Sequence, residues 1–297
     1  MRKIRILSII IFMAALISFG AYQKKERDEV DRKGPEIIMD KRKIKVSCSA
    51  GKDELLKGVA AVDDRDGDVS DTLIVEAMGN FIKKGRRKIS IAAFDSSNNV
   101  TKMTRTVVYK GYHSPRFDLE EPLRFPLQTK DIMGTLSVMD MLDGDLTGNI
   151  KISSDYNVKV DKAGIYPMVF SVSNSAGDVV NLPVNIEIFD PSVEAGNPQF
   201  ELSQYIVYTK PGNALNPWDY VRKITLSGID FERGEDGVLY DPNPKQGQKR
   251  VSITQEEVVI EQNIDYNTPG TYEIVYRFTN PGEEKEGHIR LIVVVSE

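Results

Sequence analysis

Two runs of aspartate are the residues best suited to chemistry. "AVDDRDGDVSDTLIV", residues 61–75, carries Asp63, Asp64, Asp66, Asp68 and Asp71, and "VMDMLDGDLTGNIKI", residues 138–152, repeats its D-x-x-D-G-D frame with Asp140, Asp143 and Asp145. The frames start 77 residues apart. Clustered carboxylates around a sharp glycine turn can ligate calcium, which takes about six to eight oxygens. The candidate ligands are Asp63, Asp66 and Asp68 in one copy and Asp140, Asp143 and Asp145 in the other. The spacing is not that of an EF-hand loop. The same residues also suit a plain turn, in which Asp side chains cap their own backbone while Gly67 and Gly144 take a positive φ. A third run, "GIDFERGEDGVLY", keeps Asp236 and Gly237 but has Val238 where the next carboxylate would stand. A turn tolerates that change and a metal site does not. Both readings stay open, and in either the aspartates stiffen a fold instead of catalysing.

Other side chains suit binding better than catalysis. "KKGRRK" groups Lys83, Lys84, Arg86, Arg87 and Lys88 around one glycine, whereas the matching "DKAG" and "NTPG" stretches are not basic. The cluster is either a solvated loop or a contact for anionic lipid headgroups or an envelope polymer. Trp218 lies in "PGNALNPWDY", and Tyr240 adjoins "DPNPKQGQKR". Such aromatics either fill a core or offer a face to a sugar or a partner protein. His113, His288 and Cys48 are the only residues of their types, and no GxSxG, HExxH, P-loop or GxGxxG motif occurs. Paired carboxylates in repeated turns make a poor acid and base, so no enzymatic activity is expected.

The elements that position these residues form a repeat. About twenty residues beyond each aspartate frame comes a glycine, Gly85 or Gly164, and Gly270 heads a third such stretch. Apolar residues then alternate in matching phase: Ile89, Ile91, Ala93; Met168, Phe170, Val172; Ile274, Tyr276, Phe278. A period of two marks a half-buried strand. Each is followed by a turn cluster, "DSSNN", "NSAGD" or "NPGEE", and a second alternating run, which together read as a hairpin. Pro35, Pro115 and Pro198 open the units. The spacing predicts an all-β chain of three tandem antiparallel β-sandwich modules at 35–111, 112–192 and 196–297, the last with longer loops. "KDELLKG" and "NPWDYVRKI" each suit one helical turn.

This combination resembles the bacterial immunoglobulin-like modules repeated in cell-surface and secreted proteins, a group that includes a domain of a pesticidal crystal protein. Asp66–Asp68, Asp143–Asp145, Gly270–Tyr272, the weaker Gly164–Tyr166 and the Asn-rich hairpin at Asp95–Asn99 carry the resemblance. In the first module Arg86 and Arg87 stand in place of Thr and Tyr. The resemblance implies architecture and exposure, with no shared enzymatic activity and no common ligand.

Composition and the N-terminal run set the broad limits. The 297 residues carry 39 basic and 44 acidic side chains, a net charge of -5, with no basic stripe to favour nucleic acid. A single cysteine excludes an intrachain disulfide. Arg2, Lys3 and Arg5 precede the uncharged run "ILSIIIFMAALISFGAY", residues 6–22, followed by a charged stalk at 23–34. Residues 1–22 therefore read as a signal anchor with its N-terminus inside, or as a signal peptide cleaved after Gly20. Both place the modules outside the cytoplasm, tethered in the first case and secreted in the second. The expected role is a non-catalytic spacer, adhesion or interaction scaffold; the alternative is a secreted accessory protein whose third module recognises glycan or a partner protein.

Overall fold

The computed structural model describes residues 2–153, 157–244, 252–281 and 284–296. It is an all-β chain after one N-terminal helix, as the alternation predicts. The helix α1 spans Arg2–Glu29, and its described apolar side chains are exposed. Two compact units follow from the contacts, residues 1–111 and 112–297.

The first unit contains β1 (Glu36–Met39), β2 (Lys43–Val46), the short helix α2 (Lys52–Leu56), β3 (Val59–Asp63), β4 (Gly67–Asp68), β5 (Ile74–Lys83), β6 (Arg86–Phe94) and β7 (Val100–Tyr109). One sheet has the order β1-β3-β4 and the other β2-β7-β6-β5. The β6–β7 hairpin is the spine, and β2 pairs with β7 in parallel. Ile89, Ile91 and Ala93 are buried on the inner face, where Ala93 meets Ile37, Ala61 and Val69 of the first sheet's side.

The second unit repeats this plan twice. Its first half has β8 (Arg116–Leu119), β9 (Arg124–Pro126), β10 (Leu136–Asp140), β11 (Gly144–Asp145), β12 (Lys151–Ile152), β13 (Gly164–Ser173) and β14 (Val179–Phe189). These give the orders β8-β10-β11 and β9-β14-β13-β12. Its second half has β15 (Gln199–Leu202), β16 (Ile206–Thr209), β17 (Val221–Leu226), β18 (Ile229–Arg233), β19 (Leu239–Tyr240), β20 (Ser252–Ile253), β21 (Val259–Gln262), β22 (Gly270–Thr279) and β23 (Glu286–Val295). Here β16-β23-β22-β21 matches the earlier four-stranded sheets, while β15-β17-β18-β19-β20 is enlarged. The strands β18 and β19 form an inserted hairpin, and β20 takes the place of β4 and β11 ahead of a 3-10 turn. Asp236 and Gly237 sit in the inserted β18–β19 turn. They are therefore not the counterpart of the D-x-x-D-G-D frame that local spacing suggests.

One apolar cluster runs through both halves, from Phe117 and Val138 through Phe170 and Ile186 to Ile224, Tyr276 and Val293. The halves are also joined by polar groups on outward-facing positions of β14. Asn185 donates its backbone N–H and its side-chain amide to the Glu273 carboxylate, at 3.1 and 2.9 Å. Glu187, 7% exposed, accepts from Arg124 Nε at 3.0 Å, His288 Nε2 at 2.8 Å and Arg290 Nη1 at 2.5 Å. An ionised carboxylate only accepts, so His288 carries its proton on Nε2. Arg124 continues to Glu194. Burial pushes the Glu187 pKa up, but the His288 hydrogen bond and the charges of His288, Arg124 and Arg290 outweigh it and bring the group down to about 2. Close to this junction, Gly287 has no room for a side chain: a Cβ there would collide with the Pro198 carbonyl.

Candidate functional site

The two D-x-x-D-G-D frames fold into the same object. Asp63 ends the inward-facing row of β3, where its Oδ1 accepts the backbone N–H groups of Arg65 at 2.8 Å and Asp66 at 3.0 Å. Asp140 ends β10 in the same way, accepting from Leu142 at 2.8 Å and Asp143 at 3.0 Å. Gly67 and Gly144 both stand at φ 75°, which a side chain would resist. The next aspartate reaches across to the following hairpin. Asp66 accepts the N–H and hydroxyl of Ser96 at 2.7 and 2.9 Å, and Asp143 accepts those of Ser175 at 2.5 and 2.7 Å. The last one makes an Asx turn just ahead of the 3-10 turn: Asp68 accepts the Ser70 N–H at 3.0 Å and Asp145 the Thr147 N–H at 2.8 Å. The hydroxyls of Ser70 and Thr147 in turn receive the N–H of Ala61 and Val138. These donors hold the carboxyl pKa values of Asp68 and Asp145 below the ordinary range, through the hydroxyl first and then the N–H. For Asp63 the N–H groups of Arg65 and Asp66 do the same.

The metal grouping read from spacing is therefore redrawn. Asp63, Asp66 and Asp68 point to three different partners, as do Asp140, Asp143 and Asp145. Among the described residues, the carboxylates that converge are Asp31, Asp63 and Asp95, with ligand oxygens within 4.8 Å of one another. Asp31 comes from the charged stalk and Asp95 from the β6–β7 turn, where it accepts the Asn99 N–H and side-chain amide, each at 2.7 Å. Three carboxylates could hold part of a calcium shell. In the second unit the corresponding turn residue is Asn174. Its amide donates to Asp140 Oδ2 at 3.1 Å and to the Tyr112 hydroxyl at 2.8 Å. In the first unit a third carboxylate, Asp31, approaches instead, with Arg65 Nε 3.7 Å from it.

The other candidates divide by burial. In the basic turn, Lys83, Lys84 and Lys88 are exposed and Arg86 is half-buried. Arg87 is 5% exposed, lies 5.2 Å from the Tyr109 ring centroid, and donates Nε and Nη2 to the Tyr109 hydroxyl at 2.9 and 2.5 Å. Its charge faces inward, so it does not join the surface cluster. Trp218 is 5% exposed; its indole N–H donates to the Gly237 carbonyl at 2.8 Å, and Arg233 lies 5.5 Å from its ring centroid. That position fills a core and leaves no open stacking face. Tyr240 is half-buried with its hydroxyl donating to Asp236 Oδ2 at 2.5 Å. Part of the adjoining loop, residues 245–251, lies outside the described residues. His113 accompanies Ser114 O, at 2.8 Å from Nδ1, while Cys48 Sγ lies 4.0 Å from Lys110 O.

No protein-family profile matches the chain. Among curated proteins it is 25% identical over 242 residues to the pesticidal crystal protein Cry22Aa of Bacillus thuringiensis, covering 79% of this chain and 29% of that protein. It is 29% identical over 111 residues to an uncharacterized 81.3 kDa protein of Acholeplasma phage L2, covering 36% of this chain and 15% of the phage protein. The chain thus spans less than a third of the length of these relatives. Among solved structures, the lipoprotein BT2262 of Bacteroides thetaiotaomicron matches 60% of this chain and 98% of its own at 11% identity, with a TM-score of 0.21. The CBM51-2 and INT domains of Clostridium perfringens ZmpB, in complex with GlcNAc, match 60% of this chain and 41% of theirs at 16% identity, with a TM-score of 0.25. Overall superposition is poor in both cases.

Proposed function

We propose that the chain is a non-catalytic scaffold, tethered in the membrane by α1 and presenting its β modules outside the cytoplasm. The observation that carries this reading is the stretch Ile4–Lys25, apolar and long enough to cross a bilayer, with none of it buried against the rest of the chain. At about 1.5 Å per residue, 22 helical residues extend roughly 33 Å, enough for a hydrocarbon core of about 30 Å. In the modules the aspartates of both D-x-x-D-G-D frames and Glu187 are engaged in holding turns and joining sheets, which suits a scaffold. On this reading the modules are immunoglobulin-like repeats of the kind found in bacterial surface proteins, in keeping with the distant similarity to Cry22Aa.

Membrane fractionation of the full chain with a C-terminal tag tests this. The expected result is retention in the membrane pellet after an alkaline carbonate wash, with an intact N-terminus by sequencing. A soluble product beginning at Ala21 would replace the tether with secretion.

A further inference from the structure

Arg105 stands where the fold asks for an apolar side chain. It lies on β7 in the inward phase with Val107 and Tyr109, and is 1% exposed. The strand pairing identifies its counterparts. Ile89, Met168 and Ile274 each lie four residues after the module's glycine, and they pair with Arg105, Val184 and Leu291 respectively. Two modules thus use Val and Leu at this position, so the sandwich itself does not require a cation. Arg105 donates Nε to Lys41 O at 3.0 Å and Nη1 to Leu55 O at 2.7 Å. Both acceptors are neutral, and Nη2 has no hydrogen-bond partner among the described residues. Burial pushes the guanidinium pKa down, opposed by the charge of Asp40. A buried cation held by two carbonyls, with one exposed carboxylate nearby, retains part of its need for a counter-charge.

The guanidinium borders an open cleft of about 730 Å³ between the free edge of β2 and the α2 segment. Lys41, Lys43, Lys45 and Lys57 join Arg105 around it, against Asp40 and Glu54. By the β2–β7 register Lys43 and Lys45 share the outer face with Thr106 and Val108, whereas Lys41 and Lys57 are exposed and adjoin the two carbonyls, Lys41 O and Leu55 O, that hold the guanidinium. We propose that this cleft binds the phosphate group of an anionic ligand, with Arg105 at its floor and Lys41 and Lys57 beside it. A planar fork of N–H donors fixes oxyanion geometry, while flexible ammonium groups adapt to the remaining oxygens of a tetrahedral phosphate. Cations on several sides distinguish it from a site for a single carboxylate. The inference is independent of the membrane tether, because phosphate can arrive on a soluble polymer or on a lipid headgroup.

The test uses the full chain in nonionic detergent at about 0.15 M salt, where screening suppresses purely exposed attraction. Calorimetric titration with inorganic phosphate should show saturable binding, with acetate a much weaker ligand. Lys41→Gln with Lys57→Gln, both at exposed positions, should weaken phosphate binding by about tenfold or more. Arg105→Leu, which restores the residue type of the third module, should abolish it while the circular dichroism spectrum stays wild-type. If Arg105→Leu fails to fold, the lysine pair alone decides. Competition by soluble poly(glycerol phosphate), or by phosphatidylglycerol but not phosphatidylcholine in mixed micelles, then assigns the phosphate to polymer or lipid, and either supports the site. No saturable phosphate binding by the wild-type chain, equal binding of acetate, or unchanged affinity in the lysine variant overturns the proposal.

Discussion

Replacing Glu187 with glutamine isolates the charge that joins the two halves of the second unit. The side chain keeps its shape and part of its hydrogen bonding, but Arg124, His288 and Arg290 lose their shared anion. The magnitude follows from linkage. Folding lowers the Glu187 pKa from 4.5 to about 2, and each unit is about 1.4 kcal/mol, giving about 3 kcal/mol. Solvent reaching part of the carboxylate reduces this to about 2–3 kcal/mol. Because the folded pKa lies below the unfolded one, the stabilisation is fully present above about pH 4.5 and disappears as pH falls toward 2. The chain's single tryptophan, Trp218, lies in this unit and reports its unfolding. In urea at pH 7, the Glu187→Gln midpoint should fall by about 1 M. The gap between variant and wild type should close on acidification through that window, whatever other carboxylates do to both proteins. An unchanged midpoint at pH 7, or a gap that persists at pH 2, would refute the assignment of Glu187 as the buried anion of the junction.

Gly287→Ala should destabilise the same unit by about 1–3 kcal/mol, since its Cβ meets the Pro198 carbonyl and that backbone cannot rotate aside; a thermal midpoint equal to wild type counts against the close approach. Asp95→Asn should raise the melting temperature of the first unit in the presence of EGTA, because it removes one of three converging carboxylates and copies the amide of Asn174. Differential scanning calorimetry at pH 7 measures this, and a lowered midpoint would show that Asp95 is worth more as an acceptor for Asn99 than it costs in repulsion.

Local alternation makes the strands legible. The nine residues in matching phase after Gly85, Gly164 and Gly270 are all buried, because the side-chain period of a strand follows from two or three neighbouring residues. The same rule reaches two cations that residue type alone would leave at the surface. Arg87 precedes Ile89 by two residues, and Arg105 precedes Val107 by two, so the inward phase of both can be read from the amino-acid order. What the sequence does not reveal depends on distant segments. Asp31, Asp63 and Asp95 meet only after the stalk and two hairpins come together. Glu187 occupies an outward phase on β14, and it is buried because Arg290 and His288 of β23 cover that face. The Asp236–Gly237 turn imitates the aspartate frame from the wrong hairpin, because an insertion shifts the register without altering the local turn chemistry.

In each module an early strand runs parallel to the last: β2 beside β7, β9 beside β14 and β16 beside β23. Parallel partners start at the same pole, so the chain enters a module at one end and leaves at the other. Tension along the polypeptide would then load these ladders in shear, with their hydrogen bonds sharing the force instead of breaking one after another. A chain built this way would resist pulling along its length more strongly than its equilibrium stability alone suggests.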